Sequence, residues 1–297
     1  MLKGVYTVAV TPFRDDYSLD EEGLRENLRL QVKEGVDGIV VLGTTSESPT
    51  LTSEEEELTI KIGIEECRGK VPLWVGTGSN STAVTIKKTE KAKAMGASGA
   101  LVVTPYYNKP TQEGLFCHYR ELAKATRFPL IVYNIQGRTA QNLSTDTLKR
   151  LMDLPEIVGV KEASGNILQI MDVIEAGSSA NRPGFAVLSG DDSLTLPVIA
   201  LGGQGIISVV SNVVPTLMVE LTRLCLSGDF VQARALHRTL LPLFRAAFIE
   251  TNPAPIKAMM AHVGMKAGPL RLPLVSVSHE NQTQICRCLD EILTLQN

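Results

Sequence analysis

Eight short apolar segments recur along the chain, separated by stretches with helical periodicity. Their length and composition are typical of strands buried on both faces, as in a parallel sheet. They cover residues 5–10, 38–42, 73–76, 100–104, 130–134, 157–161, 185–189 and 205–209. Successive centres lie 20 to 35 residues apart, and each spacing except the last leaves room for a full helix and two loops. This alternation predicts an α/β fold, the (β/α)8 or TIM barrel.

The segments between the strands carry helix-start signals. Capping residues followed by acidic side chains suit the positive end of a helix dipole. The predicted starts are residues 19–22 and 51–56, Ser81, Gln112 and Ser144. The pair Asp191 and Asp192 could suggest a metal site, but a cap for a helix over residues 193–201 fits the pattern better.

Past Val214 the alternation of strands and helices stops. Helical patterns continue over residues 215–226, 230–250, 255–264 and 280–295, with few strand signals between them. We therefore predict a barrel domain over residues 1–224 and a C-terminal helical extension over residues 225–297. The extension is expected to pack against the barrel or against a neighbouring subunit.

Composition excludes several classes of function. The 297 residues are 44% hydrophobic and 21% charged, with a formal net charge of −3, which gives no electrostatic case for nucleic acid or an anionic membrane. No apolar run reaches the roughly 18 residues of a membrane span. The five cysteines lack a C-x-x-C pair and the four histidines lack ligand spacing, so no metal is expected. The N-terminus has no signal-peptide pattern, and a cytoplasmic location is predicted.

Lys161 is the first candidate for chemistry, because it ends the buried run at residues 157–160 and precedes a small polar turn. An amine at the mouth of a buried strand loses water, which lowers its pKa and makes a neutral nucleophile accessible near neutral pH. Schiff-base formation with a carbonyl substrate needs such an amine. A lysine at a strand end can instead extend its amine into water, so position alone leaves both interpretations open.

The loops after the other strands favour the chemical interpretation. Active sites of (β/α)8 barrels lie at the carboxyl ends of the strands. Those ends offer a hydroxyl-rich turn after Gly43, tyrosines at positions 106, 107 and 133, and a guanidinium at Arg138. No Cys/His or Ser/His pair and no complete glycine-rich nucleotide fingerprint accompanies them. This set predicts a lysine Schiff-base lyase or aldolase that acts on a small keto acid, without a cofactor.

Five motifs in this order resemble the pyruvate-dependent family that includes dihydrodipicolinate synthase and N-acetylneuraminate lyase. They are Gly43-Thr44-Thr45-x-Glu47-Ser48, Thr104-Pro105-Tyr106-Tyr107-Asn108-Lys109-Pro110, Tyr133-Asn134-x-x-Gly137-Arg138-Thr139, Gly159-Val160-Lys161-Glu162-Ala163-Ser164-Gly165 and Ser189-Gly190-Asp191-Asp192. The resemblance runs from about Gly4 to Pro273. Arg138 places the chain on the synthase side, because the lyase relatives typically lack an arginine in that loop.

The resemblance implies a condensation of pyruvate with L-aspartate 4-semialdehyde, on the route to diaminopimelate and lysine. Lys161 would form the Schiff base, with no cofactor beyond this covalent adduct. Tyr133 would relay protons with Thr44 and with Tyr107 from a neighbouring subunit.

The same resemblance implies how the substrates are held. Thr44 and Thr45 would bind the pyruvate carboxylate, and Arg138 the carboxylate of the semialdehyde. The backbone near Gly190 and Ile207 would line the pocket. If Tyr107 must reach a partner's site, a monomer is incomplete, so at least a homodimer is expected, and a tetramer built as a dimer of dimers is favoured.

Three positions depart from the family pattern. Ser46 and Ala140 stand where relatives have glycine, and Gln136 stands where they have proline. None removes a reacting atom. Losing the fixed φ of proline is expected to loosen the loop that carries Arg138.

A further departure concerns feedback by lysine. The resemblance places a lysine effector near Ser48, Asn80 and Tyr106 in inhibited members. Val84 replaces the glutamate that anchors the effector's amine, and Glu56 replaces a histidine. Glu56 is expected to stay in water as part of a solvated first helical turn, so the anchor is missing.

Two other functions stay open at this point. A relative that acts on a sugar acid, such as N-acetylneuraminate or a 2-keto-3-deoxy acid, would share the tyrosine and the lysine. A non-catalytic barrel kept for binding would bind pyruvate without turnover or adduct.

Overall fold

Eight parallel strands close into a barrel in the computed structural model, which describes residues 2–178 and 184–294. The strands are β1 (Gly4–Val8), β2 (Gly38–Val41), β3 (Leu73–Gly76), β4 (Gly99–Val103), β5 (Leu130–Asn134), β6 (Ile157–Glu162), β7 (Ala186–Ser189) and β8 (Gly205–Ser208). Each strand pairs with the next, and β8 closes the ring by pairing with β1. The predicted (β/α)8 barrel is confirmed, and every strand lies within one residue of its predicted bounds, except at the end of β1, which comes two residues earlier than predicted.

Helices alternate with these strands and continue beyond them. They are α1 (Glu21–Lys33), α2 (Ser53–Cys67), α3 (Thr82–Met95), α4 (Gln112–Thr126), α5 (Gln136–Thr139), α6 (Thr145–Met152), α7 (Ile167–Ser178), α8 (Thr195–Ala200), α9 (Pro215–Ser227), α10 (Phe230–Ala246), α11 (Ala254–His262) and α12 (His279–Thr294). The side chains of Asp20, Thr52, Ser81 and Ser144 cap the helices whose starts were predicted there. None of the described helices has the length and apolar character needed to cross a membrane.

The start of α8 differs from its prediction. A short 3-10 turn, Asp192–Leu194, precedes the helix. Asp191 caps this turn by accepting a bond from the Ser193 amide at 2.8 Å. Asp192 is not a cap, so that part of the prediction was wrong. Its buried carboxylate instead accepts bonds from Ser208 Oγ at 2.5 Å and from the Val209 amide at 3.1 Å. The end of β8 supplies donors that sequence spacing does not reveal.

The C-terminal part is helical, as predicted, and the division between barrel and extension stays a prediction. Helix α9 packs against β1 and runs through the predicted division at residues 224 and 225, so it completes the barrel. Gly228, at φ 82°, ends this helix. Helices α10 to α12 then pack on one another and on the barrel. The predicted end of the last helix at Leu295 lies outside the described residues.

The barrel interior is filled at its amino end, which decides where a cavity can form. Tyr6 and Trp74 are buried there, and both need glycine neighbours. A Cβ at Gly38 would lie 2.4 Å from the Tyr6 ring, and one at Gly99 would lie 2.2 Å from the Trp74 ring. Because these aromatic side chains occupy the lower interior, the space for a ligand is left at the carboxyl ends of the strands.

Candidate active site

A cavity of about 270 Å³ opens at the carboxyl ends of the strands. Its volume suits two small organic acids rather than a nucleotide. Six of the predicted site residues line it, namely Thr44, Thr45, Tyr133, Arg138, Lys161 and Gly190. The structure therefore brings together residues that are separated by up to 146 positions in the sequence, from Thr44 to Gly190.

Lys161 lies near the end of β6 and is only 4% exposed. Burial lowers the pKa of its amine to about 7, and the guanidinium of Arg138 acts in the same direction. The carboxylate of Asp192 opposes this shift by favouring the ammonium form. A substantial fraction of neutral amine is therefore present at neutral pH, as nucleophilic attack on a carbonyl requires.

This pKa predicts the pH dependence of adduct formation. The neutral amine is the reactive form, so the rate of borohydride-trapped adduct formation with pyruvate should rise with pH and level off above a midpoint near 7. A lysine at its ordinary pKa of about 10.4 would instead keep rising beyond pH 9. Rates measured by mass spectrometry between about pH 5.5 and 9.5 distinguish the two curves, and a midpoint above about 9 would contradict the burial argument.

Tyr133 lies next to Lys161, because the two residues are paired in register on β5 and β6. The Lys161 amine is 4.3 Å from the centre of the Tyr133 ring. Burial raises the pKa of the Tyr133 phenol to about 12, although the charge of Arg138 lowers it in part. The phenol is consequently protonated at neutral pH, and it can donate a proton to a developing alkoxide beside Lys161 and then recover it.

The threonine turn after β2 provides hydroxyl groups. Thr44 and Thr45 begin a 3-10 turn that ends at Ser46. Thr45 is buried, and its Oγ1 accepts a bond from Asn252 Nδ2 at 3.0 Å. That bond occupies a lone pair and leaves the hydroxyl hydrogen available to a carboxylate.

Arg138 lies at the exposed mouth of the cavity on the short helix α5. Its Nη2 donates to the carbonyl of Asn252 at 3.2 Å. Guanidinium groups bind carboxylates through two parallel hydrogen bonds, so a second acid can be held here while the first lies against Lys161.

Asn252 and Phe248 also line the cavity and were not predicted as site residues, and Tyr106 lines it as one of the tyrosines expected at the strand ends. Asn252 is 4% exposed and contacts both Thr45 and Arg138. Its loop joins α10 to α11 in the extension, far in sequence from any strand end. A polar residue before a proline was the only signal, and it does not indicate a position at the barrel mouth.

The remaining predicted residues occupy different places. A Cβ at Gly190 would lie 3.0 Å from Lys161 Cε, so a glycine there makes room for the lysine side chain. Ile207 is fully buried inside the barrel and does not line the cavity. Val209, two residues later, lines it. Tyr107 is 88% exposed and does not line the cavity of its own chain. The roles of all these residues remain predictions.

Local contacts accommodate two of the three departures from the family pattern. Ser46 donates its hydroxyl to the Ala9 carbonyl at 2.6 Å. Gln136 Nε2 donates to the Ser164 carbonyl at 3.3 Å, which joins the Arg138 loop to the loop after β6. Ala140 is different, because it adopts the left-handed conformation at φ 55°, where glycine is preferred.

Replacing Ala140 by glycine is therefore expected to stabilise the protein. Removing the Cβ strain should raise the free energy of unfolding by up to about 1 kcal/mol, after part of the gain is lost to the more flexible unfolded chain. Chemical denaturation measures this change. Gly137→Ala is the matched opposite substitution on α5, the helix that Ala140 follows, since nothing lies within 4 Å of a Cβ there. A destabilised Ala140→Gly variant would contradict the strain argument.

A group of His, Cys, Asp or Glu side chains able to hold a metal ion does not occur among residues 2–178 and 184–294. The chemistry available in the cavity is that of an amine, a phenol, hydroxyl groups and a guanidinium. A (β/α)8 barrel that presents a buried lysine with a lowered pKa at its active face defines the class of lysine-dependent aldolases and lyases.

Comparison with known proteins assigns the chain within that class. Residues 1–292 match the dihydrodipicolinate synthetase family. The chain belongs to this family.

Individual relatives agree with this assignment. A 4-hydroxy-tetrahydrodipicolinate synthase of Protochlamydia amoebophila is 54% identical over 98% of this chain and 97% of its own length. The crystal structure of dihydrodipicolinate synthase from Thermotoga maritima is 43% identical and superposes with a TM-score of 0.95, covering 98% of this chain and 99% of that one. A chloride-inhibited dihydrodipicolinate synthase from Acinetobacter baumannii, complexed with pyruvate, is 38% identical with a TM-score of 0.94, over 98% and 99% of the two chains.

Proposed function

We propose that this chain is a 4-hydroxy-tetrahydrodipicolinate synthase that condenses pyruvate with L-aspartate 4-semialdehyde. The observation that carries the proposal is the buried Lys161 amine in one cavity with the Arg138 guanidinium. An amine and a separate carboxylate-binding group suit two acidic substrates, one covalently held and one bound as an ion. The relatives named as this synthase support the same substrates rather than the sugar-acid alternative.

The chemistry begins when the neutral Lys161 amine attacks the keto carbon of pyruvate. Tyr133 protonates the resulting oxygen, water leaves, and an iminium ion forms. The Tyr133 phenolate then takes a methyl proton to give an enamine, whose carbon attacks the aldehyde of the second substrate while Tyr133 returns the proton to the aldehyde oxygen. The substrate's own amine then attacks the iminium carbon and displaces Lys161. The water lost in the first stage is the only other product, and no cofactor takes part in this sequence.

Different groups around Lys161 are proposed to bind the carboxylates of the two substrates. Thr44 and Thr45 are proposed to hold the pyruvate carboxylate, and Arg138 the carboxylate of the semialdehyde. Gly190 leaves space for the Lys161 side chain, because any Cβ there would lie within 3.1 Å of its Cε and Cγ atoms.

A substrate comparison tests the function. The purified protein is assayed with pyruvate and aspartate semialdehyde, and separately for cleavage of N-acetylneuraminate and a 2-keto-3-deoxy sugar acid. Turnover of the semialdehyde should exceed that of either sugar acid. Faster turnover of a sugar acid would favour the alternative aldolase. Pyruvate binding with neither adduct nor turnover would indicate a non-catalytic barrel.

We infer that the protein works as a homo-oligomer, at least a dimer and with a tetramer favoured. Three large hydrophobic side chains in the segments that follow β3 and β4 are exposed in the single chain, namely Val84, Tyr106 and Tyr107. A second copy covering them would bury this surface and bring Tyr107 towards the partner's site. Light scattering gives the mass in solution, and a fully active monomer would contradict the inference.

Lysine is expected to inhibit this protein weakly or not at all. Glu56 is not in water as predicted, because its side chain is 14% exposed and lies 2.6 Å from Lys88 Nζ. Its carboxylate is therefore paired with Lys88, and an effector's ammonium group would have to compete with that ion pair. Val84 offers no charge, and losing one charge-assisted bond lowers affinity by roughly one to two decades. A lysine titration should give a half-inhibitory concentration above about 1 mM.

Restoring the missing carboxylate provides a sharper test. Val84→Glu should strengthen inhibition by L-lysine about tenfold or more. Val231→Glu is the matched control, because Val231 is also an exposed helical valine but lies in the extension. Strong inhibition of the unaltered protein, well below about 1 mM, would show that another group anchors the effector.

A further inference from the structure

A buried ion pair lies directly behind the threonine turn of the cavity. Glu47 follows the turn Thr44–Ser46 and adopts a left-handed backbone conformation at φ 53°. Its side chain is fully buried, and its Oε1 lies 2.6 Å from Lys257 Nζ on helix α11. A residue from the C-terminal extension is thus joined to the residue that follows the turn.

Further contacts hold both charges in place. Lys257 Nζ also donates to the Pro269 carbonyl at 2.8 Å and lies 4.4 Å from the centre of the Phe13 ring. The second carboxylate oxygen of Glu47 accepts a bond from the Arg271 amide at 3.0 Å. Both charged groups therefore have contacts on the barrel and on the extension, and Glu47 Oε1 depends on the ion pair with Lys257, because it has no hydrogen-bond partner among the described residues.

Arg271 extends this connection to the next helix. Its guanidinium contacts the Thr50 carbonyl at 2.8 Å and Glu55 at 2.5 and 2.7 Å. Because these groups lie just after the turn in sequence, the segment from the threonine turn to the start of α2 is fixed from one side by the extension.

Stability alone is a poor explanation for this arrangement. Burying two charges costs desolvation that their attraction barely offsets, and apolar residues of similar size often stabilise a protein as well or better. A left-handed non-glycine residue adds strain, and such strain concentrates at functional sites. Both costs fall at Glu47, which directly follows the turn whose two threonines are expected to hold a carboxylate.

We propose that the Glu47–Lys257 ion pair is a positioning device, by which the C-terminal extension sets the geometry of the Thr44–Ser46 turn for binding the carboxylate of the keto acid. The inference rests on the proposed function for the identity of that acid, pyruvate. Neither residue lines the cavity, so both act through the turn. The bond from Asn252 to Thr45 is a second connection from the extension to the same turn.

The test measures pyruvate binding without the second substrate. The amount of borohydride-trapped adduct is followed against pyruvate concentration, which gives a half-saturation concentration and a limiting rate. Glu47→Asp keeps the charge but withdraws the carboxylate by one methylene. It should raise the half-saturation concentration about tenfold, since misplacement by about 1 Å weakens such sites strongly, and should leave the limiting rate within about threefold.

A charge-free double variant separates positioning from stability. Glu47→Gln with Lys257→Met removes both buried charges, and it should fold while raising the half-saturation concentration at least as much as Glu47→Asp. Glu113→Gln with Arg150→Met removes an exposed ion pair of 2.8 Å between α4 and α6, and should leave pyruvate binding unchanged.

The outcomes are distinct. Unchanged half-saturation in Glu47→Asp would overturn the proposal, as would a change confined to the limiting rate. If the double variant does not fold, the half-saturation concentration of Glu47→Asp alone tests the proposal. Absence of any adduct in the unaltered protein would overturn the proposed function itself. This result would be known before any variant is measured.

Discussion

Lys161→Ala is expected to abolish both the pyruvate adduct and turnover, with kcat falling by at least about 10³-fold. The amine is the only group of the cavity proposed to bond covalently to substrate, and alanine offers no nucleophile. The fold should persist, because the substitution removes a buried amine whose pKa is already lowered by burial. The variant therefore loses chemistry rather than structure.

The adduct identifies the residue directly. Borohydride with pyruvate, followed by peptide mass spectrometry, should place the added mass on Lys161 in the unaltered protein. Lys124→Ala, which changes an exposed lysine on α4, is the control and should keep the adduct and full activity. Label on another lysine, or substantial turnover by Lys161→Ala, would reject the Schiff-base mechanism.

The barrel could be predicted from the sequence because its signal is local and repeated. Each strand is buried on both faces, so it appears as a short apolar run between turn residues. Lys161 could be found for the same reason, since it ends such a run and the fold places strand ends at the active face. Because active sites of such barrels lie at the carboxyl ends of the strands, Thr44, Tyr133 and Arg138 could also be predicted to line the cavity.

What was missed depends on contacts between distant parts of the chain. Asn252 lies in a loop between two helices of the extension, and only tertiary packing brings its amide to Thr45, 207 positions away. Asp192 was interpreted as a helix cap because the donors of β8 cannot be located from spacing. Glu56 was expected in water because its partner, Lys88, lies on the next helix. Sequence periodicity describes which face is buried but not which side chains meet.

The extension consequently belongs to the site, although sequence analysis separated it from the barrel. Asn252 contacts the two groups proposed to hold carboxylates, and Lys257 contacts the residue that follows the threonine turn. A barrel that ended at Ser227 would lose these contacts while keeping Lys161 and Tyr133. Covalent chemistry comes from the strands, and the positioning of the acids comes in part from the helices that follow them.

Tyr133→Phe is expected to lower kcat by about 10²- to 10⁴-fold while the protein stays folded. The phenol is protonated at neutral pH, because burial raises its pKa to about 12, so it acts first as a proton donor. Phenylalanine keeps the ring that packs in the barrel and removes only the hydroxyl. Both adduct formation and the later condensation should slow, since each requires proton transfer beside Lys161.

Tyr119→Phe is the matched control for this substitution. Tyr119 is also fully buried, and its hydroxyl donates to the Val102 carbonyl at 2.8 Å, outside the cavity. Its loss should cost about 1 kcal/mol of stability and leave kcat unchanged. Steady-state kinetics with thermal unfolding of both variants separates the two effects. If Tyr133→Phe keeps more than about a tenth of the kcat, the proton transfer must come from water or from another hydroxyl, and Thr44 would be the next residue to test.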